Sequence, residues 1–131
     1  TVLMSYAELK FIEAECKLML GQSGAQEAFE DAVAASVLKV TGSTNQSWLD
    51  ANINGMTVTL QDIIEQKYIA LYSTNQPYAD YRRTGYPMLS LAAGAVQTSI
   101  PSRFPYAQNS LDYNAENVPS VVITDKVWWD K

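Results

Sequence analysis

The side chains that most often perform catalysis at neutral pH are scarce in this sequence. Its 131 residues contain no histidine, which excludes Ser-His-Asp and Cys-His nucleophilic sites, histidine-ligated zinc and the commonest general base. The single thiol, Cys16, recurs with Leu9, Ile12 and Met19 at helical spacing. That spacing predicts a small core residue on the buried face of a helix rather than a nucleophile.

Carboxylates are the remaining candidates for acid–base chemistry. A glycosidase needs two carboxyl groups facing each other across a cleft, with one kept protonated by its surroundings. The acids of the first two helices fall mostly on predicted solvent faces: Glu8, Glu15, Glu27, Glu30 and Asp31. Asp80 lies beside Arg82 and Arg83 in sequence, and an ion pair is expected there. No carboxylate pair stands out, so the sequence does not predict an enzyme.

One polar segment has part of a metal-binding pattern. Asp112, Asn114 and Glu116 have the alternating spacing of the first ligands in a calcium loop. An EF-hand also requires glycine at its sixth position and an acid at its twelfth, where this chain has Asn117 and Ile123. An EF-hand is therefore excluded, while a looser calcium site is left open. The sequence therefore predicts no metal ligand and no cofactor.

Aromatic side chains carry more information. Eight Tyr, three Trp and three Phe are present, and a ring with a polar tip suits both a sugar face and a protein interface. Trp48 lies in a polar loop and is the ring that we expect to be exposed. With Tyr78 and Tyr81 it forms our candidate set for stacking on a glycan. The adjacent Trp128 and Trp129 are instead predicted to anchor the tail to the core.

The charge balance excludes several classes of partner. The formal net charge is −5, and the six Lys and three Arg form no basic stripe, which argues against nucleic acid and anionic membrane. No run of eighteen apolar residues is present to span a bilayer, and no signal-peptide pattern opens the chain. An uncharged or weakly charged ligand fits this balance best.

The first half of the chain has helical periodicity. Ser5 and Glu8 form a capping-box pattern and Gly21 suits a helix end, so a helix is predicted from about residue 5 to 20. A second helix is predicted over about residues 25–40, with a stripe of small apolar side chains. The short turn between them predicts an antiparallel hairpin of the tetratricopeptide kind.

The rest of the chain is less regular. Residues 41–58 are predicted to be a polar loop. A helix is predicted to follow near Thr59, which resembles a capping pair with Asp62, and a short helix is predicted over 77–84. The tail is interrupted by prolines, and only residues 121–123 and 127–129 are typical of short strands or buried anchors. A long tail of this kind normally packs over a larger body, which predicts a partner segment on the amino-terminal side.

Three stretches, in this order and at this spacing, resemble the SusD/RagB family of outer-membrane nutrient-binding lipoproteins, in particular its SusD-like branch. They are Ser-Tyr-Ala-Glu-Leu-Lys-Phe-Ile-Glu-Ala-Glu at 5–15, Gln-Lys-Tyr-Ile-Ala-Leu at 66–71 with Tyr-Ala-Asp-Tyr-Arg-Arg-Thr-Gly-Tyr-Pro at 78–87, and Ile-Pro-Ser-Arg-Phe-Pro-Tyr at 100–106 with 113–114, 117–118 and 127–130. The chain departs from the family pattern at Ala107, where Pro is usual, and at Ser110, where an acid is usual.

The resemblance implies a mainly α fold in which residues 1–131 are the carboxy-terminal part of a single SusD-like domain. A tetratricopeptide-like helical pair is expected in 1–42, a loop and two further helices in 43–85, and a largely irregular tail packing on them in 86–131. The resemblance also implies a lipoprotein at the outer-membrane surface of a Bacteroidetes-type bacterium, held by a lipid anchor outside this chain.

The implied function is non-catalytic capture of a glycan or other nutrient and its transfer to a SusC-like TonB-dependent transporter. The alternative is a helical-repeat module that binds a protein partner and no sugar. Glycan-contacting residues of the family come largely from upstream loops and vary between members, so none is carried over. Trp48, Tyr78 and Tyr81 are candidates on residue type alone.

Overall fold

The computed structural model describes residues 3–130, and the described residues form helices and irregular segments without any strand. The α-helices are α1 (Tyr6–Met19), α2 (Ala25–Thr41), α3 (Gln46–Asn52), α4 (Leu60–Ala70), α5 (Gln76–Thr84) and α6 (Gln108–Tyr113), and a short 3₁₀ helix follows at Ala115–Asn117. The predicted mainly α fold class is confirmed. The chain divides into two compact units, one ending at Asp80 and the other beginning at Tyr81.

The hairpin of α1 and α2 forms where the sequence predicts it. The Ser5 hydroxyl accepts a hydrogen bond from the backbone N–H of Glu8 at 3.2 Å, which satisfies one of the unpaired donors at the start of α1. The turn after α1 includes Gly21, whose φ of +63° suits a residue without a side chain. The two predicted helices are confirmed to within two residues, whereas the tetratricopeptide-like geometry stays a prediction.

The core lies between α1, α2 and α4. Phe11 and Phe29 are fully buried and meet edge to face, with their ring centroids 6.3 Å apart. Burying each ring stabilises the fold by roughly 1.5–3 kcal/mol. Alanines on α1 and α2 allow the two helices to approach closely around these rings, and the fully buried Ile63 of α4 closes the core.

The buried face of α1 differs from the prediction. The stripe containing Leu9, Ile12, Cys16 and Met19 was expected to be buried, but Leu9 is 51% exposed, Met19 is 65% exposed and Cys16 is exposed. The prediction that Cys16 is a core residue is therefore wrong. Helix α1 carries two apolar stripes, and the one that packs on α2 consists of Ala7, Phe11 and Ala14. Small side chains flanking one large ring match the alanine-rich surface of α2 more closely than four medium-sized side chains.

The predicted polar loop at 41–58 contains helix α3, so that prediction is wrong over Gln46–Asn52. The helix is stabilised by side-chain pairs one turn apart, including a 2.8 Å hydrogen bond from the Gln46 amide to Asp50. Leu49, which is 2% exposed, attaches the helix to the core. With one fully buried residue in seven, α3 lacks the periodic apolar pattern by which longer helices are identified.

Helices α4 and α5 are positioned by polar contacts. The start of α4 has a reciprocal capping box, in which the Thr59 N–H donates to Asp62 at 2.9 Å and the Asp62 N–H donates to the Thr59 hydroxyl at 3.3 Å. Lys67 of α4 and Asp80 of α5 form a buried ion pair. Because the two residues lie on different helices, this ion pair attaches α5 to α4.

The unit that begins at Tyr81 is mostly irregular. The backbone N–H groups of Ser102 and Arg103 donate to the Ile123 carbonyl at 2.8 and 3.1 Å, which joins two distant parts of the tail. Residues 121–123 and 127–129 do not form strands.

The prediction that both adjacent tryptophans anchor the tail is wrong for Trp128, which is 95% exposed. The Arg82 guanidinium lies 4.3 Å from the ring centroid of Trp129, and Asp130 lies 3.6 Å from Arg82 Nε. The Trp129 ring thus packs against the Arg82 guanidinium, whereas the Trp128 ring remains in solvent.

Candidate functional site

Trp48 lies at the wall of a groove in the unit that ends at Asp80. Burial of the next residue, Leu49, fixes the orientation of α3 and leaves the Trp48 side chain 40% exposed. The groove has a volume of about 290 Å³. We call it the Trp48 groove, and it is lined by residues of α1, α2, α3 and α4: Phe11, Val33, Ser36, Val37, Val40, Thr41, Trp48, Gln66 and Ile69.

The lining combines an apolar floor with a few polar groups. Phe11 and Val33 are buried beneath the groove. The Thr41 hydroxyl is already engaged, since it donates to the Val37 carbonyl at 2.8 Å. Within the described part of the chain, the Ser36 hydroxyl and the Gln66 amide make no side-chain hydrogen bond. A ligand in the groove would therefore meet an aromatic wall and two polar groups with free hydrogen-bonding capacity.

None of the lining residues is charged. The segment that contains the groove is acidic in composition, since residues 1–80 have four Lys and no Arg against six Glu and four Asp. A fixed negative surplus disfavours the approach of anions, and the groove offers no cation to pair with one. The arrangement suits a ligand without charge.

The other two candidate rings are not part of this groove. Tyr78 and Tyr81 lie on α5 and are half-buried, and neither lines the Trp48 groove. Tyr78 belongs to the same unit as Trp48, whereas Tyr81 belongs to the other unit. The structure therefore assigns a cavity to Trp48 but does not bring the three predicted residues together in it.

Two further cavities have no predicted site residue. One, of about 230 Å³, has Glu8 and Lys39 among its lining residues. The other, of about 360 Å³ in the tail unit, is lined in part by Tyr106, whose ring centroid lies 5.2 Å from the Arg103 guanidinium. Sequence reasoning missed both cavities, and the Arg-Phe-Pro-Tyr segment at 103–106 was the available signal for the second.

The described residues contain no cluster of three or more acidic, cysteine or histidine side chains that could hold a metal ion. In the polar segment with calcium-like spacing, neighbouring amides bond to the potential ligands. Asp112 accepts from the Gln108 amide at 2.8 Å, and Asn114 accepts from the Asn117 amide at 2.6 Å. The oxygens of Asp112 and Asn114 thus already have local hydrogen-bond partners.

Acid–base chemistry receives no support from the electrostatics of α1. The Glu13 carboxylate pairs with Lys17 at 2.6 Å and with Lys10 at 3.0 Å. These two cations, Lys17 foremost, lower the pKa of Glu13 below its usual value. A general acid of a glycosidase needs the opposite shift.

Comparison with known proteins gives the affiliation of the chain. Residues 1–107 match the SusD-like family that is described as starch-binding and associating with the outer membrane. The chain belongs to the SusD-like family. No curated protein and no solved structure matched it. The family resemblance predicted from three sequence stretches is confirmed, and the matched range includes α1 to α5 together with Trp48, Tyr78 and Tyr81.

The description of the SusD-like family includes association with the outer membrane. Among the described helices, none has both the length and the apolar character needed to cross a bilayer.

Proposed function

We propose that this SusD-like protein is a non-catalytic glycan-binding component of an outer-membrane uptake system. It holds an oligosaccharide at the cell surface and hands it to a SusC-like TonB-dependent transporter, and a lipid anchor outside the chain keeps it at the membrane. Family membership supports the glycan as ligand. Within the chain, the observation that carries the proposal is the partly exposed Trp48 ring beside the free polar groups of Ser36 and Gln66.

The chemistry of the Trp48 groove supports binding without turnover. A sugar ring has an apolar face that packs on an aromatic side chain and hydroxyl groups that exchange hydrogen bonds with hydroxyl and amide groups. No lining residue has an ionisable side chain that could act as a general acid or base. Binding of this kind is reversible, as transfer to a transporter requires.

Tyr78 and Tyr81 are retained in the proposal as additional stacking residues. Each is half-buried, so part of each ring stays accessible while the rest is held in place. They are separate from the Trp48 groove, and their contribution is to be measured separately from that of Trp48.

A protein-binding module without a sugar ligand is the second candidate. The observation that favours it is the second apolar stripe of α1, in which Leu9 and Met19 are more than half exposed and Cys16 is exposed. Exposed apolar side chains on one helix face are typical of contact surfaces for other proteins.

Calorimetric titration with glycans tests the proposal directly. We expect the wild-type protein to bind a neutral oligosaccharide without releasing products, and we expect Trp48→Ala to weaken that binding at least about tenfold, or 1.4 kcal/mol. Trp128→Ala is the matched control, because it removes an exposed tryptophan from the other unit. Release of shortened glycan, or no binding of any glycan by the wild type, would contradict the proposal.

A further inference from the structure

We infer that the Trp48 groove is a subsite for a single uncharged sugar ring, in which Ser36 and Gln66 determine specificity. This inference rests on the proposed function, because it concerns the part of a glycan that this chain holds. It adds the number of sugar rings that the groove holds and the role of two residues, Ser36 and Gln66, in selecting an uncharged ring.

The first argument for the inference is the size of the groove. Small-molecule sites range over about 300–1,000 Å³, and the Trp48 groove, at about 290 Å³, lies just below that range. A cavity of this size takes one ring rather than several consecutive rings. The remaining rings of an oligosaccharide would then extend into solvent or onto another surface.

The second argument is the placement of polar groups in the groove. Ser36 belongs to α2 and Gln66 to α4, so the two groups reach the groove from different helices. A hydroxyl and an amide both donate and accept hydrogen bonds, which matches the hydroxyl groups of a sugar. The apolar floor beneath them suits the C–H face of a ring, and Trp48 supplies the stacking surface at the wall.

The third argument is the distribution of charge. A carboxylate or sulfate on the sugar would lose water on entering the groove without gaining a cationic partner, which is costly. Residues 1–80 also carry an excess of acidic side chains, which repels an anionic chain before contact. Uronic and sulfated sugars are therefore disfavoured.

The experiment compares a neutral and an anionic glycan of known length. Affinities for maltose, maltoheptaose and tetragalacturonate are measured by calorimetry with the wild-type protein and with four variants: Trp48→Ala, Ser36→Ala, Gln66→Lys and Gln61→Lys. Gln61 is the matched control, since it lies exposed on the same helix α4 but outside the groove. Thermal unfolding of each variant establishes that it is folded.

We expect maltose to bind within about tenfold of maltoheptaose, and tetragalacturonate to bind at least about tenfold more weakly than either. Ser36→Ala is expected to weaken maltose binding about three- to tenfold, the usual effect of one hydrogen bond. Gln66→Lys is expected to strengthen tetragalacturonate binding, whereas Gln61→Lys leaves it nearly unchanged.

Several outcomes would overturn the inference. Equal wild-type affinity for tetragalacturonate and maltoheptaose would disprove the charge preference, and binding of maltoheptaose without maltose would disprove the single-ring subsite. An equal gain from Gln61→Lys and Gln66→Lys would show a general charge effect. Maltoheptaose binding that Trp48→Ala leaves unchanged would overturn the inference and the role given to Trp48 in the proposed function, whereas glycan capture by the protein would stand. Absence of binding to every glycan would overturn both.

Discussion

The Nζ atom of Lys67 lies 2.9 Å from Oδ2 of Asp80, and both side chains are 4% exposed. The two residues belong to α4 and α5, so this ion pair attaches the helix that carries Tyr78 to the rest of its unit. A buried charge is tolerated because its partner compensates for the lost water. Removing Asp80 takes from the buried Lys67 ammonium the ion pair that compensates for its burial.

We therefore expect Asp80→Ala to lower the free energy of unfolding by about 3–5 kcal/mol. The double variant Lys67→Met with Asp80→Leu is expected to lose less, because it also removes the buried Lys67 charge. Urea denaturation of the three proteins measures the difference. If the single variant proved as stable as the wild type, the ion pair would have no role in holding α5.

Single substitutions on the two apolar stripes of α1 are expected to differ in their effect on stability. Phe11→Ala removes a fully buried ring and is expected to cost about 3–5 kcal/mol of stability. Leu9→Ala, on the exposed stripe, is expected to change stability by about 0.5 kcal/mol or less. Chemical denaturation compares them, and a larger loss from Leu9→Ala would mean that the exposed stripe is covered in solution.

The exposed position of Cys16 has a chemical consequence. We expect its thiol to react with a thiol-specific reagent in the native protein, because reaction requires access and the thiolate form. Denatured protein provides the control for complete labelling, and Cys16→Ser provides the control for site specificity. Labelling that occurs only after denaturation would show that Cys16 is protected.

The ion pairs of Glu13 make stability depend on pH. The pKa of Glu13 is lowered in the folded protein by Lys17 and Lys10, so its contribution is present above the unfolded pKa of about 4.3 and is lost as the pH falls through the folded value. We expect Glu13→Gln to destabilise the protein at neutral pH and to have a smaller effect at about pH 3.

Urea denaturation at both pH values measures this difference. Glu27→Gln, at another exposed helical glutamate, serves as its control. An effect of Glu13→Gln that did not change with pH would rule out the carboxylate charge as its cause.

Helix ends were more predictable from the sequence than buried faces. Capping depends on a few neighbouring residues, so Ser5 and the pair Thr59 and Asp62 indicated their helix starts correctly. The choice between two stripes on α1 depends on the surface of α2, which no local pattern contains. Periodicity shows that Leu9 and Phe11 can each lie on an apolar face, but it does not decide which face packs.

The candidate site shows the same division. Its aromatic residue, Trp48, was singled out because of its residue type and polar surroundings, and the structure provides a groove beside it. The residues Ser36 and Gln66 are ordinary helical residues in the sequence, and they become relevant only because α2 and α4 converge. The prediction for Trp128 was wrong because Arg82 contacts the other tail tryptophan, Trp129, and the position of Arg82 cannot be inferred from the local sequence.

The short helix α3 links ligand affinity to local folding. A seven-residue helix is marginal by itself, so the wall that carries Trp48 exists only while Leu49 remains packed on the core. The apparent dissociation constant equals the intrinsic one divided by the fraction of molecules in the binding-competent state. The proposed glycan binding at Trp48 and the docking of Leu49 would thus form one coupled equilibrium, in which each event increases the population of the other.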